Sequence, residues 1–136
     1  LNINRTTRYA LYAALELTKA FSEGGTITTG QVARKYQLPE TVLAKVFQQL
    51  VKAGIAHGTR GIGGGYRLAN HPADTTVLDI LEIFDPPRPP GQCLLADKNE
   101  GSCHEEDECK LRRLFDEVDE QVRCTFASVT LETLAK

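Results

Sequence analysis

A chain of 136 residues, 41% hydrophobic and 25% charged, carries apolar material for one core and not for two. No apolar run approaches the roughly 18–20 residues that cross a bilayer, and the polar start (Asn2, Asn4, Arg5, Arg8) gives no sign of a secretory leader, so a cytoplasmic protein is expected. The formal charge of −2 hides a division: residues 1–70 hold nine Lys/Arg against three Asp/Glu, and residues 71–136 seven against fifteen. A basic half suits phosphates, beside an acidic half with another task.

Tyr9, Leu11, Tyr12, Leu15 and Leu17, followed by Ala20 and Phe21, predict a first helix that stops before Gly24–Gly25. Thr29 stands where it could cap a helix over Gln31–Tyr36. After a turn at Gln37–Leu38, Pro39 suits the first position of a third helix that runs to about Ala53 and stops at Gly54. In that helix Leu43, Val46, Phe47 and Leu50 recur at i, i+3, i+4 and i+7 and should face a core. The opposite face then presents Thr41, Ala44, Lys45, Gln48 and Lys52 to solvent or to a ligand. Two helices joined by a turn, the second with a polar-basic face, form the helix-turn-helix layout that reads a DNA major groove. Helix pairs of this kind also occur without DNA, so the segment after them matters.

Ile55–Thr59 and Tyr66–Leu68 read as two short strands joined by Gly61-Ile62-Gly63-Gly64-Gly65. A glycine-rich hairpin directly after a reading helix is a wing, with Gly61, Gly63 and Gly64 able to lie close to a nucleic-acid backbone. Arg60 stands at its base, where a guanidinium is drawn into a narrow minor groove. A dinucleotide-binding loop would need its glycines between a strand and a long helix; these join two strands. Thr75 or Thr76 should cap a fourth helix through Val77, Leu78, Ile80, Leu81 and Phe84. It must end at Asp85-Pro86-Pro87-Arg88-Pro89-Pro90, since prolines cannot continue a helix. The expected fold is mainly α with a small β-wing: a winged helix-turn-helix domain over 1–85, a Pro-rich connector and cysteine loop over 86–104, and a dimerisation helix with the C-terminal segment over 105–136.

In that last part Leu111, Leu114, Phe115, Val118, Val122 and Phe126 mark a long helix from about Glu105 to Ala127. Little other material remains to cover the stripe; a second copy of the same helix would bury it in a homodimer, the alternative being that it packs back on its own domain. All four cysteines lie in the acidic half. Cys93, Cys103 and Cys109 are separated by nine and five residues, and a helix start favours the ligating thiolate form. Clustered cysteines outside a disulfide scaffold point to metal or redox chemistry, with free redox thiols the rival reading. Cys124, about 22 Å along one helix from Cys109, is a poor fourth ligand within one chain and is expected as a small buried residue. His104 is the local candidate for the fourth position, with Asp107 or a nearby Glu as the oxygen alternative. No nucleophile–base pair suggests an enzyme.

Arg8-Tyr9-Ala10-Leu11, Leu43-Ala44-Lys45-Val46-Phe47-Gln48-Gln49-Leu50, Lys52-Ala53-Gly54-Ile55 and Arg60-Gly61-Ile62-Gly63-Gly64-Gly65-Tyr66-Arg67-Leu68-Ala69 together give the chain a family resemblance. With the three cysteines, these segments resemble the winged-helix regulators that include the iron–sulphur biosynthesis regulator IscR, the nitric-oxide-sensing repressor NsrR and the cysteine-metabolism regulator CymR. The resemblance implies a homodimer crossed through the long helix, the third helix in the major groove of a pseudo-palindromic double-stranded DNA operator, and the wing arginine in the minor groove. It further implies that an iron–sulphur cluster, [4Fe-4S] or [2Fe-2S], sets the affinity for DNA. Cys109-Lys110-Leu111-Arg112-Arg113-Leu114 looks nearest to the nitric-oxide-sensing branch. Arg8 stands where that branch can supply an acidic ligand, and Arg112 where the biosynthesis regulators carry a histidine, so the fourth ligand stays open. A cluster-free regulator governed by thiol oxidation or by a partner protein is the alternative.

Overall fold

A computed structural model describes residues 2–86 and 109–136. Helix α1 (Arg5–Ser22) begins at Asn4, whose side chain accepts the backbone N–H of Thr7 at 2.8 Å. Its amide also donates to the Phe84 carbonyl at 3.0 Å, which fixes the start of the chain against the end of a later helix. The buried side of α1 is centred on small residues. Ala10, Ala13, Ala14 and Leu17 are fully buried, while Tyr12 is exposed and Tyr9, Leu11 and Leu15 are half-buried. Alanines win the centre because their small side chains let neighbouring backbones approach closely, and α1 packs against segments as far along the chain as Leu131–Leu134.

Helix α2 (Thr29–Tyr36) is capped by Thr28, not by Thr29. Thr28 Oγ1 accepts from the Gln31 N–H at 3.1 Å, and Gln31 Oε1 accepts from the Thr28 N–H at 2.9 Å. That reciprocal box needs an acid or amide side chain three residues after the cap; Thr28 has one in Gln31, whereas Thr29 would face Val32. Gln37 takes the left-handed conformation in the turn, and helix α3 (Glu40–Lys52) follows with Pro39 as the residue just before its first turn. Leu43, Val46, Phe47 and Leu50 are fully buried, as the spacing requires. The helix stops through Gly54, at φ +80°: its N–H donates to Val51 O and that of Ile55 to Leu50 O, both at 3.0 Å.

Strands β1 (Ala56–Thr59) and β2 (Gly65–Leu68) form an antiparallel hairpin in the register Ala56–Leu68, His57–Arg67, Gly58–Tyr66 and Thr59–Gly65. Ile27 adds a short bridge to Tyr66, exchanging hydrogen bonds of 2.9 and 2.8 Å. A 3-10 turn over Pro72–Asp74 leads to helix α4 (Val77–Phe84), capped by Thr76 in a second reciprocal box with Asp79. Helix α5 (Lys110–Ala127) lies against α4, where Arg123 meets Glu82 at 3.1 Å. The connector prolines from Pro87 onward and the expected helical residues 105–108 lie outside the described residues.

Beyond α5 the chain returns to the domain. Val77 donates to Val129 O at 2.8 Å and Leu131 to Thr75 O at 2.9 Å. The short helix α6 (Leu131–Leu134) then drives Leu131, fully buried, into the same core as Leu17, Phe47 and Ile80. No helix among the described residues is long and apolar enough to cross a membrane.

Candidate nucleic-acid interface and cysteine site

With Leu43, Val46, Phe47 and Leu50 turned inward, α3 exposes Thr41, Lys45 and Gln48 to solvent, with Ala44 half-buried beside them. Lys45 and Lys52 supply its cationic charge, and Glu40 stands in the first turn, where the helix dipole favours an acid. The helix before it is held by an uncommon device. Glu16 of α1 is 6% exposed, and its Oε1 accepts Lys35 Nζ at 2.6 Å and the Tyr36 hydroxyl at 2.5 Å, with Lys19 Nζ at 3.5 Å. Burial alone would raise this carboxyl; the hydrogen bonds from Lys35 and Tyr36 and the two ammonium charges outweigh it and hold it below the usual glutamate range. Tyr36 is pushed up by burial and by the Glu16 carboxylate. One ionised oxygen thus clamps the end of α2, and with it the turn leading into α3, onto the central helix.

The wing is a bonded turn, not a slack loop. Gly64 N–H donates to Gly61 O at 2.9 Å, Thr26 Oγ1 reaches Gly63 O at 3.3 Å, and Thr59 Oγ1 reaches Gly65 O at 3.2 Å. Gly61 and Gly63 adopt positive φ, at +96° and +77°. At Gly64 the constraint is contact: a Cβ there would lie 2.5 Å from Thr59 O and 2.8 Å from Gly61 O. Arg60, Gly61 and Gly63 are exposed and Gly64 half-buried. The Tyr66 ring stacks on Phe47 of α3 and ties the wing to that helix. Thr41, Ala44, Lys45, Gln48 and the wing residues thus lie on two elements joined by a shared aromatic contact. The Glu16 clamp escaped the sequence reading; its signal was a lone acid between Leu15 and Leu17 on an otherwise apolar helix side.

Of the candidate metal residues, Cys109 is described. It is half-buried at the N-cap of α5, and its Sγ accepts the Arg112 N–H at 3.5 Å. Cys93, Cys103 and His104 lie outside the described residues. Among those described, no group of three or more His, Cys, Asp or Glu could hold a metal ion. Cys124 is exposed, not buried as expected, with Sγ 3.7 Å from Glu120 Oε1. It falls on the side of α5 away from the apolar stripe, so packing has no claim on it. Leu111, Leu114, Phe115 and Val118 are themselves exposed along that stripe, and Val122 and Phe126 are half-buried.

The sequence pattern of the Rrf2 family, described as an iron-dependent transcriptional regulator, matches residues 3–136. BadM of Rhodopseudomonas palustris, whose name describes a helix-turn-helix transcriptional regulator, is 34% identical over 137 residues, spanning 100% of this chain and 82% of that protein. Among solved structures, CymR of B. subtilis, described as the global cysteine regulator, matches at 30% identity with a TM-score of 0.80, covering 99% of this chain and 96% of that one. T. potens IscR matches at 26% identity with a TM-score of 0.78, covering 98% and 85%. These relatives are regulators of transcription, not enzymes. A winged helix with a solvent-facing basic helix and a full-length family match make this chain a member of the Rrf2 family of DNA-binding transcriptional regulators.

Proposed function

We propose that the protein represses transcription by binding a pseudo-palindromic DNA operator as a homodimer, with an iron–sulphur cluster on Cys93, Cys103 and Cys109 setting its affinity. In this reading Thr41, Ala44, Lys45 and Gln48 meet the major groove, while Arg60, Gly61, Gly63 and Gly64 approach the adjacent minor groove. The chain works as the winged domain 1–85, the connector and cysteine loop 86–104, and the dimerisation part 105–136. One observation carries the proposal: Cys109 caps the helix whose exposed apolar stripe offers a two-fold seam. A change at that sulphur therefore acts at the start of the element that would hold two DNA-binding domains in register.

Cys109 suits a cluster ligand, since the residue is half-buried and its sulphur already accepts a backbone N–H at a helix start. A bound cluster supplies a redox-active centre open to attack by nitric oxide or oxygen. His104, Asp107, a nearby Glu or a residue of the second subunit completes the ligand set, on a [4Fe-4S] or [2Fe-2S] core. Cys124 stands apart, fifteen residues along a continuous helix, or about 22 Å.

A second reading, a cluster-free regulator controlled by thiol oxidation or by a partner protein, draws on the likeness to CymR and on the exposed Cys124 thiol. Anaerobic purification separates the two. A brown protein with visible absorption and matched iron and sulphide is expected, lost in Ser variants of Cys93, Cys103 or Cys109 and kept in Cys124→Ser. A colourless, iron-free protein whose DNA affinity still follows thiol oxidation would establish the second reading instead.

A further inference from the structure

Ile62 forms the outermost point of the wing and is 109% exposed, more open than an unfolded reference, against 60% for Leu111, the next most exposed large hydrophobic among the described residues. Of the other exposed apolar side chains, Leu111, Leu114, Phe115 and Val118 line the proposed seam, Tyr12 lies tilted against Tyr36 with centroids 4.7 Å apart and Phe21 meets His71 edge-on, while Val51 and Leu134 are only 38% and 41% exposed. Ile62 has no such partner among the described residues. It is nevertheless held at a fixed point. The turn that carries it is closed by the Gly64–Gly61 hydrogen bond, anchored through Thr26 and the Ile27–Tyr66 bridge, and stacked through Tyr66 onto α3. A β-branched side chain on such a turn loses little freedom when it becomes buried. An apolar tip displayed this way is a cost in water and an asset only against a surface that covers it.

We propose that Ile62 is an apolar wing-tip contact that enters the minor groove beside Arg60, packing on deoxyribose walls and against a base step that opens easily. The inference rests on the DNA-contact reading above. The occupant is DNA because the tip is continuous with that face: Arg60 lies two residues away, and the stacked Tyr66 and Phe47 couple the wing to the helix bearing Lys45 and Gln48. Apolar wedges at minor-groove steps work through packing and through the ease of deforming flexible pyrimidine–purine steps. They displace no cations, so their signature differs from that of an arginine.

The test uses a duplex selected by the wild-type protein from a random-sequence pool, with binding followed by fluorescence anisotropy over a range of salt concentrations. Ile62→Ala is expected to weaken binding by roughly tenfold for a dimer that presents two wings, with the salt slope unchanged. Ile62→Val, which keeps a branched apolar tip, should stay within about twofold of wild type. Arg60→Ala should lower both affinity and slope. Wild-type affinity in Ile62→Ala, or an equal loss in Ile62→Val, overturns the proposal while leaving the DNA reading intact. A wild-type protein that selects no duplex overturns both. Sedimentation of Ile62→Ala gives a further check, because loss of its self-association would assign the tip to a subunit contact and overturn the groove contact.

Discussion

The ring of Tyr66 lies on that of Phe47, with centroids 4.6 Å apart and planes 16° from parallel. Phe47 is fully buried on α3 and Tyr66 sits midway along β2, so a single stacked pair makes the wing and the reading helix one rigid unit. Tyr66→Ala should cost about 2–3 kcal/mol in urea denaturation, from lost burial and stacking, while Tyr66→Phe should fall within about 0.5 kcal/mol of wild type. Below its melting transition the Ala variant should also bind DNA more weakly. Normal affinity in a folded Ala variant would mean that the wing does not need this anchor.

Arg60→Ala is expected to lose about 1–3 kcal/mol of specific binding, the usual range for a lost base-directed contact, and to reduce discrimination at the flanks of the site. Lys45→Ala should weaken specific and non-specific DNA more evenly if its partner is a phosphate. Titrations against a selected and a scrambled duplex at two salt concentrations separate these behaviours. An Arg60 variant with wild-type affinity throughout would remove the wing from the interface.

Glu16 carries a dependence on pH whose sign is fixed. Its carboxyl is held below the usual range in the folded chain, so the unfolded chain binds the extra proton first as pH falls. The stabilisation is complete above the unfolded glutamate value of about 4.3 and disappears as pH drops through the lower folded value. Glu16→Gln keeps the shape and should cost roughly 1–2 kcal/mol at pH 7. Its denaturation curve should converge on wild type in acid. A constant gap across the acid range would show that the carboxylate charge is not the source.

Val118→Asp with Val122→Asp would put two carboxylates on the apolar stripe of α5. Val118 is 46% exposed in the single chain, so the helical circular dichroism should survive. Burying unpaired charges in the proposed seam is expensive, and self-association should weaken by at least about 100-fold, with operator binding lost alongside it. Sedimentation equilibrium checks this. A variant that remains dimeric would move the subunit contact to another surface.

Periodicity made much of this fold legible. The α3 stripe, the Gly54 stop and the glycine hairpin follow from local rules that the whole structure obeys. The α2 cap was misplaced by one residue although the Thr28–Gln31 spacing was there to read. Two features lay beyond any local rule. Counting apolar residues marks α1 as a helix but does not say that close packing will centre its buried side on Ala10, Ala13 and Ala14. Leu131 enters the core from the far end of the chain, and nothing in Thr130–Leu134 states which partner the segment will find. For the site, the outward face of α3 followed from its inward one, but Glu16 meets Lys35 and Tyr36 only through tertiary packing. A helix stripe also says nothing about whether its own domain covers it, and Cys124, expected inside, stands exposed on the side of α5 away from that stripe.

The glycines of the wing differ in what a random mutational library would find there. Gly61 and Gly63 have nothing within 4 Å of the place a Cβ would take, so their only demand is on backbone torsion. For folding alone, asparagine or aspartate, which visit left-handed torsions most readily, should be tolerated at those two positions, with any loss confined to DNA binding. Gly64 faces two backbone carbonyl oxygens that no rotamer change can move aside. Every side chain is unwelcome there, and Gly65, at φ +149° with its Cβ site 2.9 Å from Ile27 O, is closed in the same way, whereas the fold leaves Gly61 and Gly63 open to sequence drift.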